Sequence, residues 1–194
     1  MKSKIGTILL AAGNSERMGQ CKFLLTMDNG LTFFENIVQT FHSYGIINLV
    51  VVVQPIHISK LENLCCKMVS KPIFIANYFP KNDRFYSLQL GIKALKNVDF
   101  SFIHNADSPF IDLETLHLLD FNKYQADYIC PIANNKGGHP IIVNYSTLKY
   151  LAERPQNAIL ADELKKFNRL SIPVNNDLIT IDIDTPEDYK KYFN

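Results

Sequence analysis

Short apolar runs rich in isoleucine, valine and phenylalanine recur along the chain, and they predict strands. Most of these runs are continuous rather than alternating, which is typical of strands covered on both faces in a parallel sheet. The predicted strands are Ile5–Leu10, Asn48–Val53, Pro72–Ala76, Phe100–His104, Asp127–Pro131 and His139–Val143.

Segments with apolar residues at helical spacing separate these runs. The predicted stripes are Phe33, Phe34, Ile37, Val38 and Phe41, then Leu88, Ile92 and Leu95, and then Leu113, Leu116 and Leu119. Asp112 and Thr185 fit helix N-caps, and Pro186 fits a first helical position. Because strands and helices alternate, we expect right-handed βαβ units and an open, doubly wound α/β sheet.

Ligands in such sheets bind beyond the carboxyl ends of the strands. This rule directs attention to the loops after Leu10, Val53, Ala76 and Asn105. No internal repeat or linker interrupts the pattern, so we expect a single domain over residues 1–194.

Charge and cysteine content exclude several classes of partner. Lys and Arg total 20 against 19 Asp and Glu, a formal net charge of +1, so no basic field attracts nucleic acid. No apolar stretch approaches the about 18 residues that suggest a membrane span. The four cysteines lack zinc-type spacing, which favours reduced thiols and a cytoplasmic protein.

The segment after the first predicted strand, residues 10–25, has the composition of a phosphate site. Ala11, Ala12 and Gly13 let a ligand approach the backbone, whose successive N–H groups can form an anion-binding concavity. Arg17 adds a forked donor and Lys22 a mobile charge. The alternative is an ordinary strand-to-helix loop with solvated charges, since the spacing matches neither the dinucleotide-binding nor the Walker fingerprint.

Two groups of acids are candidates for a metal site. Asp107 comes just after a buried strand, where a carboxylate is well placed to hold Mg²⁺ together with water and phosphate oxygens. Asp182 and Asp184 point to the same face of an extended segment. The alternatives are a turn-forming role for Asp107 and a helix-capping role for Asp184.

Polar residues after the third strand and at the next helix are candidates for nucleotide contacts. Residues 83–91 open that helix, and Ser87 with nearby free N–H groups can meet a base or a phosphate. The alternative is that Ser87 is only an N-cap. Asn77 and Gln54 are further candidates for base contacts, or are amides that satisfy their own loops.

Two residues before the last predicted strand are candidates for the acceptor side. Gly138 follows a second glycine and allows close approach to a ligand, and His139 can donate to an acceptor phosphate.

These motifs resemble those of the molybdenum-cofactor nucleotidyltransferase-like family over nearly the whole chain. Residues 10–22 fit the pattern Leu-Ala-Ala-Gly-x-Ser-x-Arg-Met-Gly-x-x-Lys without a departure. Asp107 matches the acid of Asp-x-Pro, and Asp184 lies in Asp-Ile-Asp-Thr-Pro-Glu-Asp. The resemblance implies a Rossmann-like, mostly parallel sheet with helices on both faces, as in nucleotide-diphospho-sugar transferases.

The resemblance also implies a set of site residues. The nucleoside triphosphate would be bound by Leu10, Ala11, Ala12, Gly13, Ser15, Arg17, Lys22, Asn77 and Ser87. Asp107 and Asp184 would hold Mg²⁺, and Lys22, Arg17 and Asp107 would be catalytic. Gly138 and His139 match the Gly-x-x-Gly-His-Pro stretch of molybdenum cofactor cytidylyltransferases, which implies acceptor binding.

The implied reaction is transfer of a nucleoside monophosphate from CTP or GTP to a phosphorylated small molecule, with release of pyrophosphate. The spacing of Arg84 and Ser87 resembles the cytidylyltransferase of the methylerythritol phosphate pathway and favours CTP. Residues 154–162 depart from the Gly-Asp-x-Gly-Ala-Arg stretch of the molybdenum cofactor enzymes, so the acceptor stays open. The alternatives are a guanylyltransferase, a sugar- or choline-phosphate cytidylyltransferase, and a non-catalytic nucleotide-binding accessory protein.

Overall fold

The strands of the computed structural model, which describes residues 3–68, 70–82 and 84–193, pair into one sheet. Its strands are β1 (Ile5–Ala11), β2 (Leu49–Val53), β3 (Ile73–Ala76), β4 (Phe100–Asn105), β5 (Tyr128–Ala133), β6 (Lys136–Gly137), β7 (Ile141–Asn144) and β8 (Arg169–Pro173). The helices are α1 (Phe33–Tyr44), α2 (Pro55–Leu64), α3 (Arg84–Ala94), α4 (Leu113–Asn122), α5 (Tyr145–Ala152), α6 (Leu160–Leu164) and α7 (Pro186–Tyr192). Short 3₁₀ turns occupy Lys22–Leu24, Cys65–Lys67 and Asp177–Thr180.

The strand order is β3-β2-β1-β4-β7-β5-β6, with β8 added to β5. Strands β1 to β4 are parallel, and β7 runs antiparallel to both β4 and β5. Strand β5 therefore runs in the same direction as β4, and β8 pairs with it in parallel. The carboxyl edge of the sheet thus collects the ends of β1 to β5 together with the start of β7.

All six predicted strands are present, each within two residues of its predicted limits. The sequence pattern missed β6 and β8. The predicted caps at Asp112 and Thr185 are confirmed, because their side chains accept hydrogen bonds from the N–H groups of Thr115 and Asp188. Ser87 as an N-cap is wrong, since α3 begins at Arg84 and Ser87 lies in its first turn. Asp83, at the predicted start of this helix, lies outside the described residues.

Alternation along the strands builds a core on each face of the sheet. In β1, Leu9 faces α1 and α4, and Ile8 faces α3 and α5. Most of the α1 stripe packs under the sheet, but Phe33 belongs to a third cluster, which also holds Met18, Leu25, Ile183 and Phe193. This third cluster joins the segment after β1 to the C-terminal segment.

No helix in the described ranges has the length and apolar composition needed to cross a bilayer.

Gly91→Ala is expected to lower the free energy of unfolding by about 1–3 kcal/mol, because its Cβ would clash with Cγ2 of buried Ile8. This clash outweighs the gain in helix propensity of about 1 kcal/mol. Urea denaturation measures the change, and Gly13→Ala is the control because its Cβ would meet nothing within 4 Å. Equal stability of the two variants would contradict the packing described here.

Candidate active site

The loop between β1 and the Lys22–Leu24 turn is held by its own hydrogen bonds. Ser15 adopts a left-handed conformation with φ of 52°, and its carbonyl accepts the N–H groups of Met18 and Gly19, both at 3.1 Å. Its Oγ accepts the N–H of Lys22 at 3.4 Å. The Gln54 amide, which follows β2, donates to the carbonyl of Ala12 at 3.2 Å. Gln54 therefore supports the loop from the neighbouring strand.

Gly13 leaves open space in this loop. Its φ lies outside the left-handed region, and a Cβ built on it would meet no atom within 4 Å. The protein's own packing therefore does not require glycine here. A glycine at such a point is explained by a ligand that approaches the backbone closely.

Lys22 joins the loop to two acids that are distant in sequence. Its Nζ donates to Oδ1 of Asp184 and lies 3.6 Å from Oδ2 of Asp107. Arg17 donates from its guanidinium to Oδ2 of Asp184 at 2.8 Å. The Lys22 side chain is only 13% exposed, whereas that of Arg17 is 68% exposed. The predicted phosphate loop and the predicted metal acids therefore meet at one place.

The backbone fixes the position of both acids. Asp107 follows β4 by two residues, and its carbonyl accepts the N–H of Ile183 at 2.8 Å. Ile183 is fully buried in the third cluster, which sets the neighbouring Asp184 against the loop. The hydroxyl of Ser108, the residue after Asp107, donates to the Asp182 carboxylate, so Asp182 also lies close to Asp107.

The pKa values of Asp107 and Asp184, the two acids beside Lys22, are shifted in opposite directions. Burial and the neighbouring Asp182 carboxylate raise the pKa of Asp107, against the opposing charges of Arg84 and Lys22. Burial also acts to raise the pKa of Asp184, but the hydrogen bond and charge of Lys22, with those of Arg17, lower it overall.

Asp107 and Asp184 fit a divalent cation. Oδ1 of Asp107 is buried and has no hydrogen-bond partner among the described residues, so one carboxylate oxygen is left for another ligand. Across the described part of the chain, no group of three His, Cys, Asp or Glu side chains is placed to hold a metal. A cation here would take two carboxylates and complete its shell with phosphate and water oxygens, which Mg²⁺ favours.

A small cavity opens between the loop and the acids, with a volume of about 60 Å³. Its lining consists of Leu10, Ala11, Gly13, Ser15, Lys22, Phe23, Ala106 and Asp107. This volume corresponds to about two water molecules, so it takes one group of a ligand rather than a whole nucleotide. The rest of a nucleotide has to lie along the open carboxyl edge of the sheet.

Asn77 and Ser87 are brought together, but away from the cavity lining. Both are buried, and the Asn77 amide donates to the Ser87 hydroxyl at 2.9 Å. The Asn77 side-chain oxygen accepts the N–H of Phe79 at 2.8 Å. The structure thus gives both side chains a role in holding the loop after β3, and their predicted contact with the nucleotide stays a prediction.

Gly138 and His139 lie at the same edge because β7 runs antiparallel. A Cβ on Gly138 would come within 2.5 Å of the Ile179 carbonyl, so backbone packing explains this glycine. Burial lowers the pKa of His139, partly offset by Asp182, and its Nδ1 is buried without a partner among the described residues. His139 is therefore a neutral imidazole with an unused nitrogen.

His104 helps to position Asp182 through a hydrogen bond to Ser108. It is fully buried, and burial lowers its pKa to about 3, so the ring is neutral. Its Nε2 lies 2.9 Å from the Ser108 carbonyl, which can only accept, so Nε2 carries the proton. This bond holds Ser108, whose hydroxyl in turn holds Asp182.

Arg84 is a site residue that the sequence analysis did not assign. Its charge lowers the pKa of both Asp107 and His139. In the sequence, Arg84 is marked by its spacing to Ser87 at the start of α3, a pattern that favours CTP but does not by itself indicate a charge acting on Asp107.

A family model for the MobA-like NTP transferase domain matches residues 7–169. The chain belongs to this family. It is 25% identical to the molybdenum cofactor cytidylyltransferase of Escherichia coli (strain K12) over 187 residues, which cover 96% of this chain and 94% of that protein. The predicted resemblance and the assignment to nucleotidyltransferases are confirmed.

Solved structures agree with the fold class. The chain is similar to 4-diphosphocytidyl-2C-methyl-D-erythritol synthase from Anaerococcus prevotii, with a TM-score of 0.76, 16% identity and coverage of 98% of this chain and 96% of that one. It is also similar to Rv0371c from Mycobacterium tuberculosis, solved in complex with manganese, with a TM-score of 0.75, 16% identity and coverage of 98% of both chains. The predicted doubly wound α/β fold is confirmed.

Asp107→Asn and Asp184→Asn are expected to change stability in opposite directions at neutral pH in the presence of a chelator. The raised pKa of Asp107 means that its ionised form destabilises the fold, so stability falls as pH rises above the ordinary carboxyl pKa, and Asp107→Asn raises Tm. The lowered pKa of Asp184 means that its ionised form stabilises the fold until pH falls through the folded pKa. Asp184→Asn therefore lowers Tm, by about 2–4 °C for a loss on the order of 1 kcal/mol.

Thermal denaturation of both variants and the wild type from about pH 4 to pH 8 measures these differences, which should shrink toward the acid end. A change of the same sign for both variants at neutral pH would contradict the assignment.

Proposed function

We propose that this nucleotidyltransferase transfers a nucleoside monophosphate, with CMP favoured, from a nucleoside triphosphate to a phosphorylated small molecule in a Mg²⁺-dependent reaction. An acceptor phosphate oxygen attacks the α-phosphorus, the new P–O bond forms, and the bond to the β-phosphate breaks. Pyrophosphate leaves with the electron pair of that bond. No general base is needed, because a phosphate monoester is already ionised near neutral pH.

The observation that carries this proposal is the position of the Lys22 ammonium. It contacts Asp184 and lies 3.6 Å from Asp107, and Lys22 lines the same cavity as the loop after β1. Had these groups opened onto separate surfaces, the transfer chemistry would have had no common site.

Each group has a defined task in the proposed reaction. Lys22 stabilises the charge that develops at the α-phosphorus, and exposed Arg17 stabilises the leaving pyrophosphate. Asp107 and Asp184 would hold Mg²⁺, which supplies charge neutralisation for the phosphate oxygens when bound. The manganese complex of the M. tuberculosis protein with the same fold supports a divalent cation in this role.

The acceptor approaches from the side of His139 in this proposal. The buried nitrogen without a partner on His139 suits one hydrogen bond to a phosphorylated acceptor, and Arg84 supplies a nearby positive charge. The relative from E. coli is named a cytidylyltransferase, which supports CTP over GTP. We place the enzyme in the cytoplasm, in keeping with four free cysteines.

Lys22→Ala is expected to lower turnover by about 100-fold or more, because it removes a donor aimed at developing charge. Asp107→Asn is expected to abolish the dependence of the rate on magnesium concentration. Release of pyrophosphate with a panel of phosphorylated acceptors measures both effects. Lys165→Ala is the matched control, since this lysine is 75% exposed and pairs with Asp162 on α6.

Near-normal pyrophosphate release from folded Lys22→Ala would remove Lys22 from the reaction. An unchanged magnesium titration in Asp107→Asn would do the same for the metal role of Asp107.

CTP with magnesium is expected to raise Tm more than GTP, ATP or UTP, because a ligand that binds the native state stabilises it. Thermal denaturation with each triphosphate measures the increase in Tm that each one produces. A triphosphate-dependent rise without pyrophosphate release for any acceptor would instead identify the non-catalytic accessory protein.

A further inference from the structure

An aromatic segment at the carboxyl edge is not used by the groups described above. Residues 77–82 follow β3, and we call them the aromatic loop. Within it, Tyr78 is 72% and Phe79 is 59% exposed. Two neighbouring exposed rings at this edge offer flat apolar faces on which a planar ligand group can stack.

The aromatic loop lies beside the phosphate site. Ala11 at the end of β1 pairs with Val53 of β2, which pairs with Ala76 at the end of β3. The loop therefore starts two strands from the phosphate loop, or about 10 Å away. Chain direction then leads to Arg84, whose charge acts on Asp107. The aromatic loop thus begins about 10 Å from the phosphate loop along the carboxyl edge and leads toward α3.

Phe79 is held in place before any ligand binds. Its N–H donates to the buried Asn77 side chain at 2.8 Å, and its carbonyl accepts the N–H of Asn82 at 2.9 Å. The ring meets that of Tyr86 edge to face, with centroids 6.2 Å apart. An aromatic ring fixed in this way loses little conformational entropy when a planar group stacks on it.

The order of groups along the edge indicates what that planar group is. Lys22 and Asp107 fix the α-phosphate at the ends of β1 and β4, and His139 occupies the β7 side. The nucleoside therefore has to lie at the carboxyl ends of β2 and β3, where the aromatic loop is. Asn77 and Ser87 are buried and bonded to each other there, so the flat surfaces that the loop exposes to a base are the rings of Tyr78 and Phe79, beside exposed Lys81 and Asn82.

We propose that Phe79, backed by Tyr86 and flanked by Tyr78, stacks on the nucleobase of the bound triphosphate. This inference rests on the proposed function, because the phosphate position sets the side on which the base lies. Stacking uses the face of a base and does not distinguish its edges. Phe79 therefore contributes to the affinity for every nucleoside triphosphate, while the preference among them arises elsewhere.

The test compares nucleoside triphosphates with inorganic tripolyphosphate, which has no base. Isothermal titration of the full chain with magnesium gives Kd for CTP, GTP and tripolyphosphate. Phe79→Ala is expected to raise Kd for CTP and for GTP by about 10- to 100-fold each and to leave Kd for tripolyphosphate unchanged. Phe79→Tyr, which keeps a ring, is expected to bind all three like the wild type.

Phe121→Ala is the matched control. Phe121 is 84% exposed near the end of α4, and Tyr124 just beyond it packs on Phe100 at the start of β4, which places this region at the opposite edge. All three ligands should bind this variant like the wild type.

Several outcomes overturn the stacking proposal. Unchanged CTP and GTP affinity in Phe79→Ala does so, and so does an equal loss for tripolyphosphate, which would mean that the variant disturbs the phosphate loop. Unchanged nucleotide affinity with a raised KM for the acceptor would assign the ring to the acceptor instead. A wild type that binds neither CTP nor tripolyphosphate would refute the proposed function itself, a result distinct from the first three.

Discussion

The site depends on one ammonium group placed between carboxylates from distant parts of the chain. Lys22 and its partner Asp184 are separated by 162 residues, and Asp107 enters from β4. Asp107 is 17% and Asp184 31% exposed, and two carboxylates this close repel each other, which the positive charge of Lys22 between them offsets. The apolar third cluster brings the C-terminal segment to the loop, and Lys22 then fixes the orientation of the acids within it.

The two acids are unequal partners for a metal. The charge of Asp184 is already offset by Lys22 and Arg17, which lower its pKa. Asp107 keeps a raised pKa and a buried oxygen without a partner among the described residues. A divalent cation bound as proposed would therefore be attracted most strongly by Asp107, because the ionised form of that carboxylate is the less well compensated. Asp184 also holds the two cationic side chains of the loop, Arg17 and Lys22.

Sequence patterns predicted the features that local chemistry determines. Valine-rich β2 and the caps at Asp112 and Thr185 carry their signals within a few residues. Strand β8 was missed because Arg169–Pro173 alternates half-buried and exposed residues and mixes Arg, Ser and Pro with its apolar positions. Gly13 and Gly138 show what sequence patterns cannot predict, namely why a glycine is needed at a given position. Open space surrounds Gly13 and the Ile179 backbone fills the place beside Gly138, and only tertiary structure distinguishes them.

The surface proposed for the acceptor differs in charge from the surface proposed for the nucleotide. Lys22 and Arg17 lie on the side proposed for the triphosphate, whereas burial lowers the pKa of His139, and the charge of Asp182 acts on that imidazole. A second phosphate entering there would face carboxylates with only a hydrogen bond from imidazole to hold it. Arg84 changes this balance, because its charge acts on both Asp107 and His139. Since Arg84 also ends the segment that carries Phe79, the first turn of α3 connects the surfaces proposed for base and acceptor.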